Sequence, residues 1–97
     1  PLVREPLPRL AGRRALVVDD HPVNRRIAQR ELERLGCRVE CAADAYEALR
    51  CVERAAAPFG LALLDHHLPG PDGLWLAARL REARRFGRRP PVVLLSS

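Results

Sequence analysis

The segment ALLDHHLPGPDGL, residues 62–74, decides which fold this chain is expected to adopt. Its apolar start runs directly into Asp65, and two histidines, several turn-forming residues and a second Asp-Gly pair follow. A short apolar run bounded by turn formers is typical of a strand that is buried on both faces. The segment therefore predicts a buried strand that carries a carboxylate at its tip.

Strands and helical stretches alternate on both sides of this segment. Four short apolar runs are predicted to be strands, and apolar residues at helical spacing follow each of the first three. The predicted strands are ALVV at 15–18, CRVECA at 37–42, LALL at 61–64 and PVVLL at 91–95. This order predicts an α/β fold with a doubly wound parallel sheet, strand order 2-1-3-4, and right-handed crossovers that place helices on both faces.

Capping residues and apolar spacing locate the three helices. Pro22 fits the first turn of the first helix, and Gly36 fits its end. Asp44 and Glu47 resemble a capping box for the second helix, and Asp72 is placed to cap the third. The apolar residues expected to face the core are Ile27, Ala28, Leu32 and Leu35 in the first helix, Ala45, Ala48, Leu49, Val52 and Ala56 in the second, and Leu76, Ala77, Leu80 and Ala83 in the third.

The basic residues are concentrated near the two ends of the chain. The formal net charge is +5, and all 17 basic residues are arginine. Four arginines against one glutamate lie in residues 1–14, and six against one glutamate lie in residues 79–89, so the middle of the chain is acidic. Residues 79–89 lack the interleaved aromatic residues and the recognised motif of a nucleic-acid binder and fit a solvated helix end. No nucleic-acid contact is expected through this domain.

Cysteine content and hydropathy predict a cytoplasmic domain. Cys37, Cys41 and Cys51 are odd in number and fit neither a CxxC redox pair nor a paired zinc knuckle, so they are expected to be packing residues in a reducing compartment. No apolar run reaches the roughly 18 residues of a membrane span. We expect no direct membrane contact, and any tether to the inner membrane would run through a parent chain. Residues 1–12 are expected to be a linker from a preceding domain, and residues 13–97 to form one domain.

Acidic residues are predicted to meet at one edge of the sheet. Asp19 and Asp20 follow the first strand, and Asp65 follows the third, which is its neighbour in the predicted order. Carboxylates this close repel one another and are tolerated when a divalent cation lies among them, and all-oxygen ligation favours Mg²⁺. Ser96 ends the fourth strand and brings a hydroxyl to the same edge. A carboxylate nucleophile, Mg²⁺ and a hydroxyl together indicate phosphoryl transfer to aspartate.

The histidines beside Asp65 raise a competing interpretation. His66 and His67, with His21 next to the first acid pair, would form a transition-metal cluster if their rings converged. Successive residues of a loop point in different directions, however, and such a site needs three histidines or a fixed histidine–carboxylate geometry. We therefore expect the histidines to line the rim and to influence the access of water to an aspartyl phosphate.

Three motif blocks carry a family resemblance. VVDD at 17–20, LLDHHLPGPDG at 63–73 and PVVLLSS at 91–97 resemble the blocks of the receiver domain of bacterial two-component response regulators, over about residues 13–97. DDHPVNRRIAQRELERLG at 19–36 is further similar to the receivers of hybrid sensor histidine kinases. The resemblance implies a flavodoxin-like fold. It also implies a phosphoacceptor module, not an independent enzyme, that takes a phosphoryl group from a histidine kinase or a histidine phosphotransfer domain.

The resemblance implies a role for each residue of this edge. Asp65 is the expected phosphoacceptor, and Ser96 is the expected switch hydroxyl that turns toward the phosphate. Asp20 and Asp65 are expected to ligate Mg²⁺ directly, and Asp19 to support the ion through water. The backbone carbonyl of His67 is expected to be a further ligand. The alternative is a degenerate receiver that acts only as a protein-interaction module, and the intact acids argue against it.

The chain departs from the family pattern after the fourth strand. A complete receiver has five strands and five helices, whereas the fifth strand and the last two helices are missing from this chain, and with them the lysine at the end of that strand. Residues 92–95 would leave an unpaired strand edge, which is a site for strand addition. We expect residues 1–97 alone not to form a stable monomer, so that either more chain completes the fold or two copies pair as a homodimer through the fourth strand.

Overall fold

A parallel sheet with helices on both faces forms the part of the chain that the structure describes. The structure is a computed structural model, and it describes residues 11–82 and 92–96. The elements are β1 (Arg14–Val18), α1 (Pro22–Arg34), β2 (Arg38–Ala42), α2 (Ala45–Arg54), β3 (Leu61–Asp65), α3 (Gly73–Glu82) and β4 (Val92–Ser96). Strands and helices alternate along the chain in the order that the sequence predicts.

The four strands pair in the order β2-β1-β3-β4, which confirms the predicted strand order. Val18, the last residue of β1, pairs with Ala42 of β2 and with Leu64 of β3. Asp65 pairs with Ser96 of β4. Because all the pairings are parallel, the carboxyl ends of the strands lie at one edge of the sheet. We call the edge formed by Val18, Ala42, Asp65 and Ser96 the acid edge.

The helices bury side chains on both faces of the sheet. Successive strand residues point to opposite faces, so β1 contributes Leu16 and Val18 to one core and Ala15 and Val17 to the other. The first core contains buried residues of α2 and α3, and the second contains Leu32 of α1. β1 is thus buried on both faces, as predicted, and the doubly wound arrangement is confirmed.

Local hydrogen bonds begin α2 and α3 where the sequence predicts, and α1 ends at the predicted glycine. Gly36 follows α1 with a φ of 91°, a left-handed conformation that glycine adopts without steric cost. The Asp44 carboxylate accepts from the Glu47 N–H at 2.8 Å, and the Glu47 carboxylate accepts from the Ala43 N–H at 3.2 Å, one residue before the N-cap position that a standard capping box uses. The Asp72 carboxylate caps α3 by accepting from the Trp75 N–H at 2.9 Å.

Three side chains lie elsewhere than the apolar spacing indicates. Ile27, expected on the core face of α1, is 56% exposed. In the described residues α1 is the one helix that covers this face of the sheet, and Ile27 lies on the flank of that helix. Ala56 is exposed because α2 ends at Arg54, before the helix-breaking Pro58. Phe59 is 2% exposed and fills the first core, although a single aromatic residue after a proline shows no period.

Some predictions concern residues outside the described part of the chain. Ala83 and nearly all of the linker expected at residues 1–12 lie there. The domain boundary at residue 13 and the pairing of two copies through β4 stay predictions. Among the helices that the structure describes, none combines the length and the apolar character needed to cross a bilayer.

Replacing Asp44 by alanine is expected to destabilise the start of α2 by about 1 kcal/mol, because the Glu47 N–H loses its side-chain acceptor. Amide hydrogen exchange at Glu47 measures the change and should become several-fold faster. Asp44→Ser restores an acceptor at the same position and is the matched control, so its exchange should stay close to that of the unmodified protein. Equal exchange in the alanine variant and the unmodified protein would show that the cap contributes nothing.

Candidate functional site

Three carboxylates converge at the acid edge. Asp19 and Asp20 directly follow β1, and Asp65 is the last residue of β3. Since Val18 pairs with Leu64, the residues that directly follow this pair, Asp19 and Asp65, lie side by side. One carboxylate oxygen from each of the three acids lies within 4.8 Å of the others, with Asp19 and Asp65 half-buried and Asp20 exposed. The structure thus brings together the acids that the sequence places at two strand tips.

Local turns hold two of these carboxylates. The Asp19 Oδ1 atom accepts a hydrogen bond from the His21 N–H at 2.9 Å, and the Asp65 Oδ1 atom accepts one from the His67 N–H at 3.0 Å. Short aspartate side chains readily bond to the backbone two residues on in turns. Each turn fixes the rotamer of its aspartate and uses one carboxylate oxygen, so the second oxygen is available to a ligand.

The backbone of Asp19 is anchored from two sides. Its N–H donates to the carbonyl oxygen of Ala42 in β2 at 3.1 Å, and its carbonyl oxygen accepts from the Arg25 Nη1 atom at 2.8 Å. Sequence reasoning missed Arg25, because nothing in the Arg25-Arg26 pair shows which guanidinium turns back toward the sheet. The sequence offers one signal for such a contact: Arg25 and Arg26 lie in the first turns of the helix that follows Asp19 and Asp20.

An open cleft of about 520 Å³ adjoins the acids on the α1 side of the sheet. Its walls combine carboxylates with apolar side chains. Charges bordered by apolar surface interact more strongly than charges in bulk water, because the local dielectric constant is lower. The cleft is lined by Val17, Val18, Asp19, Asn24, Ile27, Ala28, Leu63, Asp65 and His67.

The donor set fits a hard divalent cation. In residues 11–82, Asp19, Asp20 and Asp65 are the one group of at least three histidine, cysteine, aspartate or glutamate side chains close enough to share an ion. All three offer carboxylate oxygens, which are ligands that Mg²⁺ prefers. Two oxygens bound to one Mg²⁺ lie at most about 4.2 Å apart. Three carboxylate oxygens that lie within 4.8 Å of one another are close to this separation.

The histidines do not join this group. The His66 and His67 rings pack edge to face, with their centroids 4.8 Å apart. His21 contributes its backbone N–H to Asp19. Within the part of the chain that the structure describes, no histidine shares a potential metal site with the acids. The arrangement favours an all-oxygen site over the transition-metal alternative.

The cysteines are packing residues, as the sequence predicts. Cys37 and Cys51 are buried and Cys41 is half-buried, and all three are free thiols. Burial raises the pKa of the Cys37 and Cys41 thiols above the ordinary value, so both stay protonated near neutral pH. A protonated thiol is neither a good nucleophile nor a metal ligand.

The end of β4 lies beside Asp65. Ser96 is the register partner of Asp65, so parallel pairing places the backbone of Ser96 next to the acid cluster. A register partner in the neighbouring strand is about 5 Å away between the strand axes. Its role as the switch hydroxyl stays a prediction.

Comparisons with known proteins agree with this geometry. The family model for the response regulator receiver domain matches residues 15–97. The sensory/regulatory protein RpfC of Xanthomonas campestris pv. campestris is 38% identical over 90 residues, which cover 92% of this chain and 12% of that protein. The sensor histidine kinase GacS of Pseudomonas protegens is 35% identical over 97 residues, which cover 96% of this chain and 10% of that protein. The chain thus spans about a tenth of the length of these curated relatives.

Solved receiver-domain structures are similar to this chain in both fold and sequence. The receiver domain of the sensor histidine kinase PA1611 from Pseudomonas aeruginosa PAO1 is 36% identical, with a TM-score of 0.73 over 89% of this chain and 68% of that chain. That structure has a magnesium ion coordinated in its active site cleft. The fold class predicted from the sequence is confirmed.

Replacing Asp20 by asparagine is expected to stabilise the fold when no divalent cation is present, because it removes one of three like charges within 4.8 Å. The gain in the free energy of unfolding should stay below about 1 kcal/mol, since water screens an exposed carboxylate. Urea denaturation at low salt measures the gain. In about 1 M NaCl, where screening acts beyond about 3 Å, the gain should shrink. A variant less stable than the unmodified protein at low salt would contradict the repulsion.

Proposed function

Because this chain belongs to the response regulator receiver domain family, whose model matches residues 15–97, we propose that it accepts a phosphoryl group on Asp65 from a phosphohistidine. Its signalling role is that of a receiver in two-component phosphorelays. The observation that carries the residue-level proposal is the meeting of Asp19, Asp20 and Asp65 at the tips of neighbouring strands. Their backbone turns account for one oxygen of Asp19 and one of Asp65, but do not offset the mutual repulsion of three carboxylates, which a bound cation would offset.

We propose that these acids hold Mg²⁺. Asp20 and Asp65 would be direct ligands, the backbone carbonyl of His67 would be a further ligand, and Asp19 would act through water. The support is the donor chemistry: three carboxylate oxygens within 4.8 Å, and an exposed Asp20 at a position that water can reach. When bound, Mg²⁺ offsets the negative charge on the phosphoryl oxygens.

In the proposed Mg²⁺-dependent transfer, the bonds that form and break lie between the Asp65 carboxylate and the phosphohistidine donor. A carboxylate oxygen forms a P–O bond with the phosphorus while the P–N bond to the donor imidazole breaks. The electron pair of that bond stays with the imidazole nitrogen, and the ring leaves as a neutral group after it takes up a proton. The product is an acyl phosphate on Asp65. The carboxylate has two oxygens, so one would attack the phosphorus while the other ligates the ion, and the hydrogen bond from the His67 N–H to Oδ1 orients the group.

Two further roles follow from positions on the acid edge. Ser96 is the register partner of Asp65, and its hydroxyl would hydrogen-bond the new phosphate and transmit its presence to the rest of the domain. His66 and His67 directly follow Asp65 and would limit the access of water, which slows hydrolysis of the acyl phosphate. The edge-to-face packing of their rings supports this shielding role.

The donor that we propose is a histidine kinase or a histidine phosphotransfer domain. RpfC and GacS are much longer proteins, of which this chain covers 12% and 10%. We propose that residues 13–97 are the receiver of a hybrid sensor histidine kinase, joined to the preceding domain by residues 1–12. In that setting the receiver lies in the cytoplasm, and any attachment to the inner membrane comes from the rest of the protein.

Titration with Mg²⁺ tests the metal site. The expected dissociation constant is on the order of 0.1–10 mM, because few protein oxygens contribute and the ion keeps several waters. The amide chemical shifts of Asp19, Asp20 and Asp65 should move together and saturate. Asp20→Asn should weaken binding, whereas Glu31→Gln, which neutralises an exposed acid on α1, should leave it unchanged. No response at the three acids would remove the metal site from the proposal.

Labelling with radioactive acetyl phosphate in the presence of Mg²⁺ tests the acceptor. Asp65→Asn keeps the size of the side chain and removes the nucleophile, so the label should disappear. Asp72→Asn is the matched control, because asparagine still caps α3 and the label should persist. Ser96→Ala should retain the label and lose part of the conformational response seen in amide shifts. Undiminished label in Asp65→Asn would move the acceptor to another acid, and an unlabelled protein with an intact Mg²⁺ site would favour the degenerate receiver.

A further inference from the structure

We propose that Arg25 is a positioning residue for the acid edge, because its guanidinium holds the loop after β1 in the shape that presents Asp19 and Asp20 to a divalent cation. The inference rests on the Mg²⁺ site proposed above. Arg25 acts through the loop and not on the ion, since its hydrogen bond goes to the backbone carbonyl oxygen of Asp19. No motif reading of the sequence distinguishes this arginine from its neighbour Arg26.

Arg25 contacts the loop through both its side chain and its backbone. The Nη1 atom donates to the Asp19 carbonyl oxygen at 2.8 Å, and the Arg25 N–H donates to the His21 carbonyl oxygen at 3.0 Å. The side chain therefore spans the junction between β1 and α1. Its hydrogen bond is partly buried and has a charged donor, and such bonds are roughly twice as strong as bonds between neutral groups.

The other contacts of Asp19 show what the guanidinium adds. The Asp19 N–H is bound to Ala42 of the neighbouring strand, and the Oδ1 atom is bound to the His21 N–H. Arg25 supplies the partner of the carbonyl oxygen, so the backbone and one carboxylate oxygen of Asp19 are all fixed. A residue held in this way presents its second carboxylate oxygen, and the adjacent Asp20, with little freedom. Outer partners of metal ligands commonly provide this kind of preorganisation.

If the positive charge were the whole contribution of Arg25, the residue would weaken Mg²⁺ binding instead of supporting it. A guanidinium near a divalent-cation site repels the ion, so its removal would strengthen Mg²⁺ binding if charge were its whole contribution. Loss of the hydrogen bond to Asp19 loosens the loop and weakens binding. The sign of the change in affinity therefore separates positioning from simple repulsion. Added salt provides a second criterion, because it screens the repulsion and leaves the geometry of the loop unchanged.

Titrations of Arg25→Met and Arg26→Met with Mg²⁺, followed by amide chemical shifts, test the proposal. Methionine keeps much of the aliphatic stem without the charge, and the exposed Arg26 gives the same change in charge from the adjacent position. We expect Arg25→Met to bind Mg²⁺ about tenfold more weakly. Arg26→Met should bind as tightly as the unmodified protein or slightly more tightly. Equal or tighter binding by Arg25→Met would overturn the proposal.

A metal-free measurement separates this inference from the proposed function. Without Mg²⁺, the amide shifts of Asp19, Asp20 and His21 should change in Arg25→Met and stay unchanged in the Arg26→Met control. Unchanged shifts in Arg25→Met would also overturn the role of Arg25. An unmodified protein that binds no Mg²⁺ would instead remove the proposed metal site, and the metal-free shifts would still report on the loop.

A conservative variant covers the case in which Arg25→Met does not fold. Arg25→Lys keeps the positive charge and a donor but lacks the planar group that fixes the direction of the donor. We expect it to fold and to bind Mg²⁺ more weakly than the unmodified protein, by less than Arg25→Met where both can be measured. Binding of Arg25→Lys that equals or exceeds that of the unmodified protein counts against the proposal, because the fixed direction of the guanidinium donor would then contribute nothing.

Discussion

The register in which β1 pairs with β3 is the constraint on which the rest of the structure depends. Parallel pairing of Val18 with Leu64 sets Asp65 beside the residues that follow β1. A slip of one residue would turn every side chain of β1 to the opposite face of the sheet. Val17 would then replace Val18 in the core beneath α2 and α3, and the two cores resist that exchange because each accepts only alternate residues of the strand. Hydrophobic packing away from the edge therefore fixes the arrangement of the acids.

The carboxylates that repel one another lie at the boundary where the closely packed core ends. Val18 is 1% exposed, whereas Asp19 is half-buried and Asp20 is exposed. Carboxylates at this boundary keep part of their hydration, which limits the cost of bringing them together. Natural sequences contain locally destabilising arrangements chiefly at functional sites, and favourable interactions elsewhere in the domain compensate for the lost stability. The capped helices and doubly buried strands provide that compensation here, and this contrast marks the acid edge as a site.

Much of the fold could be predicted because its signals are local. Unbroken apolar runs marked β1, β3 and β4, and Asp44 and Asp72 marked helix starts because each cap lies within three residues of its partner. The convergence of the acids followed from strand order and chain position alone. The environments of Ile27, Phe59 and Arg25 could not be predicted in this way, because they depend on packing and side-chain direction that no local pattern encodes. Ile27 depends on which helices flank α1, Phe59 on the space between sheet and helices, and Arg25 on the direction of one guanidinium.

All basic side chains of this chain are arginine, and none is lysine. This composition affects how the charge at the acid edge changes when a ligand binds. Arginine keeps its proton throughout the pH range in which proteins stay folded, so the charge of Arg25 beside the Asp19 carbonyl is constant. The large changes in charge at this edge then come from a divalent cation and, as proposed, from a phosphoryl group. A phosphoryl group on Asp65 adds negative charge next to the metal ligands, and a cation offsets it, so each ligand lowers the cost of binding the other. Because such coupling is reciprocal, the proposed site would hold Mg²⁺ more tightly after phosphoryl transfer than before it.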